Sequence, residues 1–203
     1  VNYSGILPEN EIFTWNEVGK FPYGTYLLMH SLIYRRQLLI DSNLQMPKHT
    51  FYVDNIYAYY PLTFVNSMYY LNENLYLYSI GREDQSVNEQ IMIRRIDQQI
   101  RVTELMRDMY QLTKIDNSQL REYMVNYLTI MYTVTTALLV ESGTPEHLEL
   151  KKKLWDDFEQ SDSESYNLVH GKFLGWIMSK DGSFWHNLIH NGYKISQKIF
   201  HFN

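Results

Sequence analysis

The spacing of hydrophobic and polar positions changes character near residue 88. Before it, apolar residues come in short runs interrupted by turn-forming residues. The first twenty-five residues carry prolines, glycines and asparagines without a clear period, which predicts loop with short strand pieces. Residues 27–34 predict a strand, and residues 35–42 a short helix with Leu38 and Leu39 facing inward. Residues 43–48, with Pro47, predict a loop. Residues 54–60 predict a short helix with Asp54 at its N-terminus, limited by Pro61. Residues 67–71 and 75–80 are rich in Tyr, Leu and Ile, and Asn72-Glu73-Asn74 lies between them, which predicts a hairpin.

After residue 88 the period becomes helical. Met92, Ile96, Ile100, Leu105, Met109 and Leu112 share one face of a segment over 88–112. Asp116-Asn117-Ser118 supplies a loop and cap, and residues 119–141 repeat the pattern through Leu120, Met124, Tyr127, Met131, Val134 and Leu138. Gly143 closes that helix, and Thr144-Pro145 opens another that runs to about residue 158. Further helices are predicted over 163–178 and 183–200. The fold class expected is α+β and mainly helical, with a small sheet or hairpin in residues 1–87 and a helical region in 88–203 packed on it.

Composition narrows the function classes. The chain has 203 residues and 45% apolar content, enough to form a sizeable core. Tyrosine supplies 18 residues, and a hydroxyl on an apolar ring suits both saccharide clefts and half-buried strands. A net charge of −5 argues against nucleic acid, whose phosphates call for a basic face. Without cysteine, disulfides and thiolate metal sites are excluded, and a reducing cytosol is the natural setting. The longest apolar stretch, around 127–140, is broken by threonines and reads as a buried helix rather than a membrane span. The start at Val1, without a signal-peptide pattern, reads as a piece of a longer protein.

Few residues stand out chemically. Asp54, beside aromatics at a helix start, is placed to stay ionised and accept a proton from a bound alcohol, or simply to cap the helix. Gly81-Arg82-Glu83-Asp84-Gln85-Ser86 joins a sharp turn to an arginine and short polar groups, suited to a diphosphate or to a solvated turn capping the next helix. His30 and His49 flank the approach to Asp54 without metal-ligand spacing. Lys151-Lys152-Lys153 reads as a solvated helix face. The run from Phe184 through Lys198 mixes aromatics with positive charge, and either lies on an anionic membrane or packs back through Trp185, Leu188, Ile195 and Ile199.

Together these motifs resemble the C-terminal half of a bacterial family 2 glycosyltransferase of the GT-A type. The resemblance is carried by residues 29–35, 48–55, 70–78 and 80–87, continues through 92–99, and is specific to about residue 112. It implies inverting transfer from a nucleotide-sugar to a saccharide or lipid-linked acceptor in cell-surface polysaccharide or glycoconjugate synthesis. Asp54 would be the catalytic base; the family's acidic pair reads Val53-Asp54 here, so only its second member matches. Arg82, Gln85 and Ser86 would lie near the donor diphosphate, and His30, Tyr34, His49 and Tyr52 on the acceptor side. A divalent cation, Mg or Mn, is expected in the full-length enzyme, ligated mainly by a nucleotide-binding half with an Asp-x-Asp motif that these residues do not contain. The resemblance therefore implies little activity in this chain alone, a cytoplasmic location at the inner membrane face, and an orphan sheet edge open to pairing with a second copy. The competing expectation is a non-catalytic helical interaction module built on residues 88–141.

Overall fold

A computed structural model describes residues 2–77 and 88–200, with side chains through 198. Strand β1, Ile12–Phe13, pairs antiparallel with β2, Met68–Tyr69, setting Ile12 opposite Tyr69 and Phe13 opposite Met68. Two short helices, α1 (Arg36–Asp41) and α2 (Asp54–Tyr59), lie between these strands in sequence. Then follow α3 (Glu89–Arg94), α4 (Ile96–Asp108), α5 (Ser118–Ser142), α6 (Pro145–Ser161), α7 (Ser163–His170), α8 (Phe173–Ser179) and α9 (Ser183–Phe200). The described residues are 63% helical with a small two-stranded antiparallel sheet, a mainly helical α+β fold, as the patterning predicts.

Helix α5 is the axis of the fold, and its ends are chemically marked. The Asn117 side chain accepts a hydrogen bond from the Leu120 N–H at 3.0 Å, and Gly143 closes the helix in the left-handed conformation at φ 64°. Thr144 caps α6 through the His147 N–H, with Pro145 at the first helical position. Asn117 also donates to Asn16 Oδ1 at 2.7 Å, tying the front segment to the cap. Asn117→Ala is expected to cost about 1 kcal/mol of stability, measured by urea denaturation.

Helix α4 packs on α5 through a buried polar seam, where the Thr103 and Thr135 hydroxyls meet at 2.8 Å and Gln99 donates to Thr135. Helix α6 packs through aromatics: Tyr132 lies 4.8 Å from Trp155 and 4.9 Å from Phe158 between ring centroids, and the Trp155 indole donates to Thr136. By length and composition α5 qualifies as a membrane span, which corrects the expectation that no run does. In this fold most of it is buried by its neighbours, as its threonines and tyrosines suggest. Residues from both ends of the chain, Phe13 and Leu27 as well as Trp155 and Ile189, join the same core.

Several local expectations are corrected. Residues 27–34 form no strand: Met29–Ser31 is a 3-10 turn. The backbone N–H groups of Leu27 and Leu28 donate to the Tyr123 and Tyr3 hydroxyls, which satisfies them without a neighbouring strand. Met68–Tyr69 pairs with β1 rather than with 75–80; within the latter, residues 75–77 are not strand and 78–80 lie outside the described residues. The helix over 88–112 breaks at Arg95, where φ −114° and ψ 25° separate α3 from α4. The Arg95 guanidinium sits 3.6 Å from the centre of the Phe51 ring, and the Phe51 N–H donates to Gln98, so a distant loop docks at the break. The segment 163–178 is likewise two helices, parted where Lys172 turns extended.

Lys151 is the sharpest correction, because it is fully buried while Lys152 and Lys153 are exposed. The turn between α8 and α9 closes over it, and its ammonium donates to the Lys180 carbonyl and, at 3.2 Å, to Asp181. Burial lowers its pKa, and the Asp181 carboxylate opposes that shift.

Candidate active site

The sequence of residues 48–55 builds an unusual approach to α2. His49 (φ 53°) and Tyr52 (φ 67°) both adopt the left-handed conformation, which costs a bulky side chain energy. Tyr52 is buried, and its carbonyl accepts from the Asn55 backbone N–H at 3.1 Å and from the Asn55 amide at 3.0 Å. This knot sets Asp54 in the first turn of α2, half-buried.

Around Asp54 the chain gathers aromatics from distant segments. Tyr26 packs against Tyr127 of α5 with the rings tilted and their centroids 4.5 Å apart, and the Tyr127 hydroxyl donates to Asn55 Oδ1 at 3.1 Å. The Asp54 charge raises the pKa of Tyr26, Tyr52 and Tyr127, in each case behind the larger effect of burial, so all three belong to its surroundings. Burial likewise raises the Asp54 pKa; its own backbone N–H and the charge of His30 pull the other way without cancelling it. Desolvation therefore outweighs the amide at the helix start in setting the direction of the shift.

The remaining expected residues fall at different distances from this centre. His30 is exposed and stacks on Tyr76, with centroids 5.2 Å apart. Tyr34 meets Tyr57 of α2 edge-on at 5.2 Å, and burial pushes its hydroxyl pKa up. That hydroxyl is buried without a hydrogen-bond partner among the described residues. His49 is exposed, and no described contact joins it to Asp54. Arg82, Gln85 and Ser86 lie outside the described residues.

Sequence reading missed Tyr26, Tyr127 and Asn55. Tyr26 and Tyr127 sit in segments read as strand approach and helix core, and only folding brings them to Asp54. It also missed a cleft of about 340 Å3 beside the start of α5, lined by Lys20, Phe21, Glu122 and Asn126, and an adjoining one of about 220 Å3 reaching Lys172. Neither is lined by Asp54, and the one carboxylate they share, Glu122, lies 3.9 Å from the Lys172 ammonium. The chemistry therefore favours the Asp54 centre over the larger hollow.

Among the described residues, no group of three or more His, Asp or Glu side chains is arranged to hold a metal ion. The donor set for a divalent cation is thus not found around Asp54. No protein-family model matches the chain, and neither the curated proteins nor the solved structures contain a match to it.

Proposed function

We propose that this chain is the acceptor-binding, base-carrying portion of an inverting glycosyltransferase that uses a nucleotide-sugar donor, with Asp54 as general base. The observation that carries this reading is the half-buried Asp54 carboxyl at the start of α2, raised in basicity by desolvation and set among tyrosines. A carboxylate made more basic by burial is better matched to taking a proton from a hydroxyl than a solvated one.

In the proposed reaction the acceptor oxygen attacks the anomeric carbon, its proton passes to Asp54, and the bond from that carbon to the diphosphate breaks. The nucleoside diphosphate leaves with the bonding electrons. His30 offers an exposed ring near the same carboxylate, and Tyr34 keeps its proposed acceptor-side place on the sequence resemblance alone. Arg82, Gln85 and Ser86 keep their proposed place at the donor diphosphate on the sequence resemblance alone. A divalent ion would stabilise the leaving diphosphate, but its ligands are assigned to a nucleotide-binding half outside these residues, and no step is routed through it.

The competing reading, a helical interaction module over 88–141, needs an apolar face free for a partner. No large apolar side chain described between residues 88 and 172 is exposed, which favours the enzymatic reading. The test is a pH profile of transfer by the chain joined to its nucleotide-binding half. On the proposed role, kcat/KM rises with pH through a pKa above that of a solvated carboxylate, and this limb disappears in Asp54→Asn. A limb that persists in the variant would remove Asp54 from the role.

A further inference from the structure

Among the described residues from 88 onward, the exposed large apolar side chains all lie on α8 and α9. Phe173 is 65% exposed and Trp176, one turn on, 41%. On α9, Phe184, Leu188 and Ile195 are all exposed at helical spacing, while Ile189 on the opposite side is buried in the core. The two helices are joined by rings: Trp176 meets Trp185 edge-on at 5.4 Å, and Trp185 meets Phe184 at 5.3 Å. The expected alternatives for this tail are therefore not exclusive, since one face of α9 packs back and the other stays bare.

Charge says what covers the bare face. Residues 165–203 hold four lysines and a single acidic residue, Asp181. Lys194 is paired with Glu89 and Glu141 and Lys172 lies 3.9 Å from Glu122, whereas Lys180 and Lys198 have no described carboxylate partner. The Asp181 carboxylate is taken up by Lys151 and by His186 at 2.7 Å. The Lys180 ammonium lies 5.3 Å from the centre of the Trp176 ring, and Lys198 extends the exposed side of α9. Tryptophan and phenylalanine rimmed by lysine, without free carboxylates, match the headgroup boundary of an anionic bilayer. We propose that the α8–α9 surface is a peripheral docking face for anionic membrane, with Phe173, Trp176, Phe184 and Leu188 entering the headgroup boundary and Lys180 and Lys198 facing the phosphates. This is independent of the chemistry assigned to Asp54 and is read out without any transfer assay.

The experiment is co-sedimentation of the chain with vesicles of phosphatidylcholine alone or mixed equally with phosphatidylglycerol, together with tryptophan emission. Trp15 and Trp155 are buried, so a blue shift on binding reports Trp176 and Trp185. Binding to the anionic vesicles is expected, weakened by salt and lowered about tenfold or more by Phe184→Ser with Leu188→Ser. Lys180→Glu and Lys198→Glu are each expected to lower it about fivefold or more. Phe184, Leu188 and Lys198 are exposed and Lys180 is half-buried, so the variants should keep the far-UV circular dichroism of the parent. No sedimentation, equal binding to neutral vesicles, or binding unchanged in the variants overturns the proposal. So does a homodimer that Phe184→Ser dissociates in a chain that ignores vesicles, which would give the face to a second copy.

Discussion

Asp54→Asn is expected to lower sugar transfer by about 10²- to 10⁴-fold, the contribution of a positioned general base, in a chain that carries its nucleotide-binding half. Asparagine keeps the size of the side chain and removes the proton acceptor. Donor affinity should be unchanged, because Asp54 is assigned to the acceptor side. Stability supplies an internal control. A carboxyl whose pKa is raised on folding contributes stability that is fully present below its unfolded pKa, near the ordinary aspartate value, and is lost as pH rises through the higher folded pKa. Rising pH removes that contribution from the wild-type chain, whereas the asparagine variant never titrates. Relative to wild type, Asp54→Asn should therefore gain stability as pH rises from 4 to 7, measured as the difference in Tm. An inactive variant that is also less stable at pH 7 would point to a structural role for the carboxylate instead.

Gly175→Ala is expected to destabilise the chain by about 3 kcal/mol or more, the upper part of the range for overpacking. A Cβ on Gly175 would lie 2.0 Å from the Val169 carbonyl oxygen, 2.9 Å from its carbon and 3.3 Å from the His170 Cα. These are backbone atoms at the end of α7, so no side-chain rotation relieves the clash. Helices α7 and α8 would have to separate, and Val169, which is fully buried, would be drawn out of the core. For a chain of this size the fall in Tm should be roughly 6–12 °C. Gly192→Ala is the contrast: it sits in α9 with nothing within 4 Å of its Cβ position, so alanine there should be neutral or stabilise by up to about 1 kcal/mol. Equal Tm values for the two variants would refute the close approach of α7 and α8.

The legible parts of this fold are those whose causes are local. Asn117, Gly143, Thr144 and Pro145 announce the ends of α5 and α6, because a cap or a left-handed turn is decided by a few neighbouring residues. Asp54 at the start of α2 and the 3-10 turn around Pro61 were legible for the same reason. The partner of β2 was not, since Ile12–Phe13 lies more than fifty residues away and two-residue strands leave almost no periodic trace. Nor was the break at Arg95, which has no glycine or proline, only a guanidinium stacked on Phe51 from another loop.

At the candidate site the division is similar. The identity and helix position of Asp54 follow from residues 53–60 alone, whereas its environment does not. Tyr26 and Tyr127 meet each other only because the front segment folds onto α5, and burial in the folded chain raises the pKa of the carboxyl. Lys151 makes the same point in reverse. Three adjacent lysines look alike in the chain, yet the α8–α9 turn buries the first and leaves the other two in water. Helix content, caps and the choice of candidate carboxylate belong to short-range chemistry, which neighbouring residues carry in full. Strand pairing, burial of charge and the pKa of Asp54 depend on which distant segments exclude water from a given atom, and only the packed chain decides that.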